Sequence, residues 1–411
     1  MAGSSLGLPV RIRAQQSHSL FKKVLSSRYS QRMEFLQQLL EQRRGLATRI
    51  IVAQTLFLAL IWFGTVDFTD VYAGADLAQY KRMAAAAPSF DPSIPAPFAY
   101  RIAVPFVVGV LFPQNNVPGF QLLHLVLVLA LAIQFFRVLR QYGANEAYAL
   151  VAVTLVVWNP YLGGFLMFNP FQAGDTLAYL LLLVALEAYR KRSALVFGIA
   201  LILAATVRET PLLIVPAAAF ALRKDTRMML RFMIAALPAL AVFVMIRMLI
   251  PSSNPQWSIL STLADYAPDA ISPERWGRML INTCAPLSLL VMTIIRKNWK
   301  DLGSYPAELS LMVALTAASF TGGDVERLLS PVLLLLLIVL RPYVETYLKN
   351  ARFNLALAIA VPVCANHFIY ARHGSFLPNT AYYALSLASS MLVAWTAYRA
   401  TSSGSETALH P

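Results

Sequence analysis

Long apolar runs alternate with short polar stretches along most of this 411-residue chain. Twelve of the runs approach the roughly 20 residues that a helix needs to cross a bilayer. They occupy residues 50–66, 121–136, 147–158, 171–186, 194–207, 211–222, 232–250, 279–295, 309–320, 328–340, 353–370 and 382–398. The pattern therefore predicts an all-α fold, a polytopic transmembrane helical bundle of about 12 spans.

Residues 102–112 form an apolar run that is too short to cross a membrane, and Pro113 ends it. We interpret this run as an embedded half-helix on the outer side, tolerated where protein buries its ends. The polar loop 67–100 precedes it and contains "ADLAQYKRMAAAAPSF", in which Ala and Met recur at helical spacing. The spacing predicts a short helix along the membrane, with Asp76 and Tyr80 at i and i+4 on one face.

Composition supports a membrane chain and excludes other classes. Hydrophobic residues are 58% of the chain and charged residues 13%, with a mean hydropathy of +0.60. Soluble domains have roughly 45–50% apolar and about 25% charged residues, so a water-soluble globular enzyme and a disordered chain are both excluded. The two cysteines, Cys284 and Cys364, lie in apolar runs, which excludes a disulfide framework and a cysteine-based zinc site.

The net charge of +14 indicates orientation rather than a nucleic-acid partner. Nine Lys and Arg precede the first apolar run, which places the N-terminus in the cytoplasm and does not resemble a cleaved signal peptide. After twelve crossings the C-terminus is also cytoplasmic. The segments assigned to the cytoplasm then hold 25 Lys and Arg against 9 Asp and Glu, and the outer segments hold 9 against 11. We expect a multi-pass protein of the cell inner (plasma) membrane.

Three regions follow from this arrangement. Residues 1–48 form a basic cytoplasmic segment, residues 49–400 the transmembrane domain with its first outer loop at 67–100, and residues 401–411 a short cytoplasmic tail. The chain shows no internal repeat, no Gly-rich phosphate loop and no His pair at helical spacing. Any active site is therefore expected where spans meet the outer loops.

The charged residues on the predicted outer side are the candidates for chemistry, since the positive-inside rule does not explain them. They are Asp70 and Asp76 in the first loop, Arg101 before the half-helix, Asp175 at a span start, Arg208 and Glu209 at a tight hairpin, and Asp324, Glu326 and Arg327 at a late span. Arg101 would either pair with an anion or anchor in the headgroups. Together these groups would supply carboxylates for proton chemistry and guanidiniums for a phosphate.

The order of the motifs resembles polytopic glycosyltransferases of the GT-C superfold, in particular bacterial members. An acid-x3-Tyr loop after the first span is followed by "YRIAVP", "NP…GDTLAY", "VRETPLL" and "GGDVERLLSP", which together cover most of residues 65–335. The chain departs from the pattern at Ala103, where the family has a larger apolar residue.

The resemblance implies transfer of a sugar from a polyprenyl-phosphate donor to a glycan or lipid acceptor at the outer face. It implies Asp76 as the catalytic base, with Asp70 as the second candidate. Arg101, Arg208 and Arg327 would bind the leaving phosphate, and Tyr80, Asp175, Glu209, Asp324 and Glu326 would complete the substrate site. A monophosphate donor needs no metal, whereas a diphosphate donor would use Mg²⁺ or Mn²⁺ on Asp324 and Glu326.

Two alternatives from other classes remain open. A multi-span transporter or lipid flippase would also have many spans and an outer vestibule, but we expect it to carry charge at mid-membrane and on both faces, whereas here the unexplained charge is one-sided. A non-catalytic partner in envelope polysaccharide assembly would tolerate loss of Asp76 and of the three arginines.

Overall fold

The computed structural model describes residues 45–58, 76–159, 162–163, 170–254, 272–277, 281, 283–320, 325–365 and 379–406. Every regular element in these ranges is helical. The chain divides into two compact units, 1–50 and 51–411. Of the first unit only residues 45–50 are described, and they are helical.

The helices follow the predicted apolar runs closely. They are α1 Gly45–Leu58, α2 Asp76–Ala86, α3 Ala103–Leu111, α4 Asn116–Gln141, α5 Glu146–Val157, α6 Ala173–Arg190, α7 Ala194–Ala205, α8 Ile214–Ala221, α9 Thr226–Leu249, α10 Pro273–Gly277, α11 Ser288–Leu302, α12 Pro306–Ser319, α13 Val325–Val339, α14 Arg341–Tyr347, α15 Ala351–Ala365 and α16 Asn379–Glu406. Short 3₁₀ turns precede α3, α6 and α8, at Phe98–Tyr100, Pro170–Gln172 and Thr210–Leu213.

Two helices in the described ranges, α4 and α9, are long and apolar enough to cross a membrane alone. A third span arises if α13 and α14 count together, although they are bent by 70°. The other apolar helices of the described residues are shorter, at 10–17 residues. The helical bundle is thus observed, whereas the 12 crossings stay a prediction.

Two helices predicted between residues 67 and 112 are confirmed. The motif "ADLAQYKRMAAAAPSF" forms α2, and the run 102–112 forms the nine-residue α3, too short for a crossing. The predicted run 279–295 is not one continuous helix, because residues 283–287 form turns and a bend and α11 begins at Ser288. Pro286 has no N–H to donate and favours such a break. At the other end of the chain, α16 continues to Glu406, past the predicted boundary at 400.

Helices α4 and α6 are packed side by side and run in the same direction. His124 and Thr176 are hydrogen-bonded near their first turns, at 3.2 Å, and Gln134 donates to Glu187 near their ends. Helix α7 returns beside α6 and crosses α9 closely at Gly198, where an added Cβ would lie 2.5 Å from the Ala235 carbonyl oxygen. The starts of α4 and α6 therefore lie at one end of the bundle, together with the end of α7.

Candidate functional site

Helix α2 is held against the half-helix α3 by a close backbone approach. A Cβ on Gly109 would lie only 2.1 Å from the carbonyl oxygen of Ala84, so the two helices touch where glycine leaves room. On the same helix Tyr80 is buried and meets Phe98 edge to face, at 5.8 Å between ring centroids. Asp76 is the first residue of α2, one helical turn before Tyr80, and its side chain lies outside the described residues.

Arg101 follows the 3₁₀ turn at Phe98–Tyr100 and precedes α3. Its backbone N–H donates to the Phe98 carbonyl at 2.9 Å, which fixes its entry into the half-helix. Its guanidinium is mostly buried and donates to Glu209 at 3.3 Å. Of the two alternatives that the sequence left open for Arg101, the structure thus shows the anionic partner.

Asp175 and Arg208 form a buried ion pair, with side chains only 3% and 6% exposed. Asp175 lies in the first turn of α6, where a helix N-terminus favours a carboxylate. Arg208 follows the end of α7. The N–H of Ala103 donates to the Thr206 carbonyl at 3.1 Å, which joins the start of α3 to that same turn. The elements that carry Arg101 and Arg208 are therefore neighbours.

Glu209 brings in a cation that the sequence analysis missed. Arg247, near the end of α9, lies 3.9 Å from Glu209, with its guanidinium over the rings of Phe243 and Tyr100 at 3.5 and 5.0 Å from their centroids. An isolated arginine inside the apolar run 232–250 is the signal that could have identified it, because charge within a span is costly. Burial alone raises the pKa of the Glu209 carboxyl, but the surrounding guanidiniums outweigh this and hold the pKa below its ordinary value.

We call Arg101, Asp175, Arg208, Glu209 and Arg247 the arginine cluster. Its three guanidiniums exceed its two carboxylates by one positive charge, and all five groups are at least partly withdrawn from solvent. Planar guanidiniums that are partly desolvated and in excess suit an oxyanion such as a phosphate.

A narrow crevice lies beside the arginine cluster, and Tyr80, Arg101, Gly174 and Asp175 are among its lining residues. Its volume of about 10 Å³ is room for about one water molecule. Three predicted site residues from three separate chain segments thus share one crevice.

The predicted motif at Asp324, Glu326 and Arg327 is described only in its backbone. Asp324 and Asp70 lie outside the described residues, as do the side chains of Glu326 and Arg327 at the start of α13. One turn further on, Ser330 donates to the Tyr179 hydroxyl at 3.2 Å. Tyr179 is one turn from Asp175 on α6, so the start of α13 lies beside the same part of α6.

In the part of the chain that the structure describes, no group of three or more His, Cys, Asp or Glu side chains is placed to hold a metal ion. Asp324 and the side chain of Glu326, which the sequence offers as metal ligands, lie outside the described residues.

Buried carboxylates are not confined to the arginine-cluster end of the helices. Near the other end of α6, Glu187 accepts hydrogen bonds from Gln134, Gln141 and Lys191, the last at 2.6 Å. Glu308 at the start of α12 is fully buried and accepts from the Tyr142 hydroxyl. Both carboxylates come from segments with several polar residues, which the sequence analysis treated as solvated cytoplasmic ends.

Comparison with known proteins adds no relative: no protein-family model, no curated protein and no solved structure matches this chain.

Proposed function

We propose that this chain is a membrane glycosyltransferase that moves a sugar from a polyprenyl-phosphate donor to a glycan or lipid acceptor at the outer face of a cell inner membrane. The observation that carries the proposal is the arginine cluster, a positively charged site that four separate segments build at one end of the helices. Apolar helices beside it suit the hydrocarbon tail of such a donor.

The reaction divides between a base and a phosphate site. The acceptor hydroxyl oxygen attacks the anomeric carbon while its proton passes to a carboxylate, for which we propose Asp76. The bond between the anomeric carbon and the phosphate oxygen breaks, and its electron pair leaves with the lipid phosphate. Arg101, Arg208 and Arg247 would neutralise that charge, with Asp175 positioning Arg208.

Binding of a donor requires the site to open. The crevice beside Tyr80 has room for about one water, far less than a sugar phosphate. Helix α2 is the element whose movement would enlarge it, because Tyr80 lines the crevice from that helix. In this proposal, α2 closes over the bound sugar and brings Asp76 to the acceptor.

The decisive measurement is single-turnover transfer from a defined polyprenyl-phosphate sugar by purified protein in detergent, with donor binding measured in parallel. Asp76→Asn should lower transfer by about 10²–10⁴-fold while binding survives, because a general base is lost. Asp70→Asn should be milder. Retained activity in Asp76→Asn with loss in Asp70→Asn would move the base to Asp70, and indifference to both would contradict the transferase.

The phosphate site has its own variants. Arg101→Ala should weaken donor binding, and Arg101→Lys should restore only part, because an ammonium does not replace a bidentate guanidinium. Arg82→Ala is the matched control, since Arg82 is an exposed arginine on α2 that pairs with Asp91 at 3.0 Å. Equal losses at Arg101 and Arg82 would indicate a general charge effect rather than a binding site.

Orientation is tested separately by cysteine labelling. A cysteine at Ser89, just after α2, should react with an impermeant reagent from the outer side, and one at Ser26 should not. The native Cys284 and Cys364 are buried and free, so they give a low background. The reverse pattern would place the arginine cluster in the cytoplasm and remove the proposed outer-face reaction.

A transporter or lipid flippase is the second candidate, favoured by one observation. Buried carboxylates lie at both ends of the described helices, at Asp175 and at Glu187 and Glu308. Polar groups of this kind mark ion and substrate pathways in transporters. Movement of a labelled polyprenyl-phosphate lipid across vesicles without sugar transfer, abolished in Glu308→Gln, would favour this candidate.

A further inference from the structure

An apolar groove of about 500 Å³ runs between α11, α12 and α13, away from the arginine cluster. Its lining is almost entirely hydrocarbon, and Trp299, Leu309, Val313, Ala317 and Phe320 are among its residues. The one hydroxyl in the lining, on Thr316, donates to the Met312 carbonyl at 2.8 Å. Apart from the indole N–H of the exposed Trp299, the side chains of the lining therefore offer no free polar group, and the groove suits a hydrocarbon chain.

The length of the groove matches one leaflet of a bilayer. Along α12 it extends from Leu309 to Phe320, a rise of about 17 Å at 1.5 Å per residue. Half of a hydrocarbon core is about 15 Å thick. One lipid acyl chain lying parallel to α12 would thus fill the groove over most of its length.

One end of the groove is strongly basic. Trp299 at that end is 70% exposed, and Arg296, Lys297 and Lys300 are exposed beside it on α11. The nearby Asp301 accepts a hydrogen bond from Tyr343 at 3.1 Å. An exposed tryptophan with three cations within five residues is typical of a membrane interface that attracts anionic headgroups.

This basic end lies away from the arginine cluster. Leu309 follows Glu308, which pairs with Tyr142 just after the end of α4, and α4 begins at the arginine-cluster end. A lipid with its phosphate at Arg296, Lys297 and Lys300 is therefore separate from the sugar donor. It also belongs to the leaflet that the charge distribution assigns to the cytoplasm.

We infer that this groove binds an anionic glycerophospholipid, with one acyl chain along α12 and the phosphate on Arg296, Lys297 and Lys300. The inference does not rest on sugar transfer. The shape of the groove and the charge beside it set different requirements for the lipid. The groove accepts any acyl chain of the right length, and the three cations select a negatively charged headgroup.

Trp299 provides the probe, because bromine on an acyl chain quenches a nearby tryptophan. The protein is reconstituted in phosphatidylcholine vesicles with a small fraction of chain-brominated phosphatidylglycerol or, in parallel, chain-brominated phosphatidylcholine. The Trp299 signal is the difference between the parent and Trp299→Phe. Trp395 on α16, also exposed, reports the ordinary surrounding lipid by the same subtraction with Trp395→Phe.

Brominated phosphatidylglycerol should quench Trp299 several-fold more than brominated phosphatidylcholine at the same fraction, and Trp395 should not distinguish them. Each of Arg296→Gln, Lys297→Gln and Lys300→Gln should lower the preference by up to about five-fold, the equivalent of about 1 kcal/mol per cation. Ala317→Phe should reduce quenching of Trp299 by either lipid, because it narrows the groove from an exposed position.

Two results would overturn the inference. Equal quenching of Trp299 by both brominated lipids would show ordinary surrounding lipid without selection. Absence of quenching by either lipid would show that another part of the protein covers the groove. Neither result bears on sugar transfer, so failure here is distinguishable from failure of the proposed function.

Discussion

The two ends of α6 hold their carboxylates in opposite ways. At the first end Asp175 pairs with Arg208, and the surrounding arginine cluster has one positive charge in excess. About 18 Å away at 1.5 Å per residue, Glu187 collects Gln134, Gln141, Lys191 and Arg137 around one carboxylate. We call this second group the glutamate hub.

The position of the cations separates the two groups. In the glutamate hub, Arg137 and Lys191 are 60% and 54% exposed, so water screens their charges. The buried Glu187 carboxylate has its hydrogen-bond partners within the protein. In the arginine cluster the guanidiniums themselves are withdrawn from water. The Glu187 carboxylate, which already accepts several hydrogen bonds, joins α6 to α4. The guanidiniums of the arginine cluster outnumber its carboxylates and are partly removed from water, so they are suited to bind an anion.

The largest expected effect comes from breaking the buried pair of the arginine cluster. Asp175→Ala removes the carboxylate that pairs with the buried Arg208, and breaking a buried ion pair typically costs about 3–5 kcal/mol of folding free energy. A thermal unfolding curve in detergent should show the loss. An unchanged midpoint would mean that water reaches Arg208, contrary to its burial.

The matched control removes both charges. Asp175→Leu combined with Arg208→Met should recover most of the stability, because apolar residues often replace a buried ion pair without loss. Donor binding should remain lost, since a guanidinium of the phosphate site is gone. Recovery of both stability and binding would identify the pair as structural only.

The sequence predicted four of the five members of the arginine cluster but not how they pair. Apolar periodicity fixed the positions of α2 and α3, and the common predicted side brought Arg101, Asp175, Arg208 and Glu209 together. Arg208 and Glu209 are adjacent in the sequence, at one predicted hairpin. Arg208 instead pairs with Asp175, and Glu209 with Arg101, 108 residues away.

Which charged side chains form ion pairs depends on how the helices pack, and this cannot be predicted from neighbouring residues in the sequence. Arg247 was missed for the same reason, because only the crossing of α7 and α9 brings it to Glu209. The glutamate hub was missed because its polar residues are ordinary for a helix end. Asp70 and Asp324 lie outside the described residues, and their predicted roles stay predictions.

A moderate effect is expected from Glu187→Gln in the glutamate hub. The change removes the charge that Gln134, Gln141 and Lys191 bind, and hydrogen bonds to charged groups suggest a loss of about 1–3 kcal/mol. Sugar transfer should persist at a temperature well below unfolding. Loss of transfer without loss of stability would mean that both ends of α6 take part in function.

The pH dependence of stability sharpens the comparison at Glu209. Its pKa is depressed in the folded protein, so its contribution is fully present above its ordinary value of 4.5 and is lost as pH falls through the folded pKa. Unfolding midpoints of the parent and Glu209→Gln should therefore differ most near neutral pH and converge in acid. A difference that grows on acidification would contradict the charge pairing with Arg101 and Arg247.

The smallest effect is expected at Asp91, a carboxylate outside both groups. The hydroxyl and backbone N–H of Ser93 lower its pKa below the ordinary 3.8, with a further contribution from Arg82 at 3.0 Å. Because Arg82 is 46% exposed, water screens that pair, and Asp91→Asn should leave the unfolding midpoint near that of the parent at neutral pH. Any stability that Asp91 contributes is present above pH 3.8 and falls in stronger acid.

Single-turnover transfer should also be unchanged in Asp91→Asn, because the Asp91 carboxylate is already bonded to Ser93 and Arg82. A loss of transfer comparable to that of Asp76→Asn would instead show that the loop after α2 contributes the base.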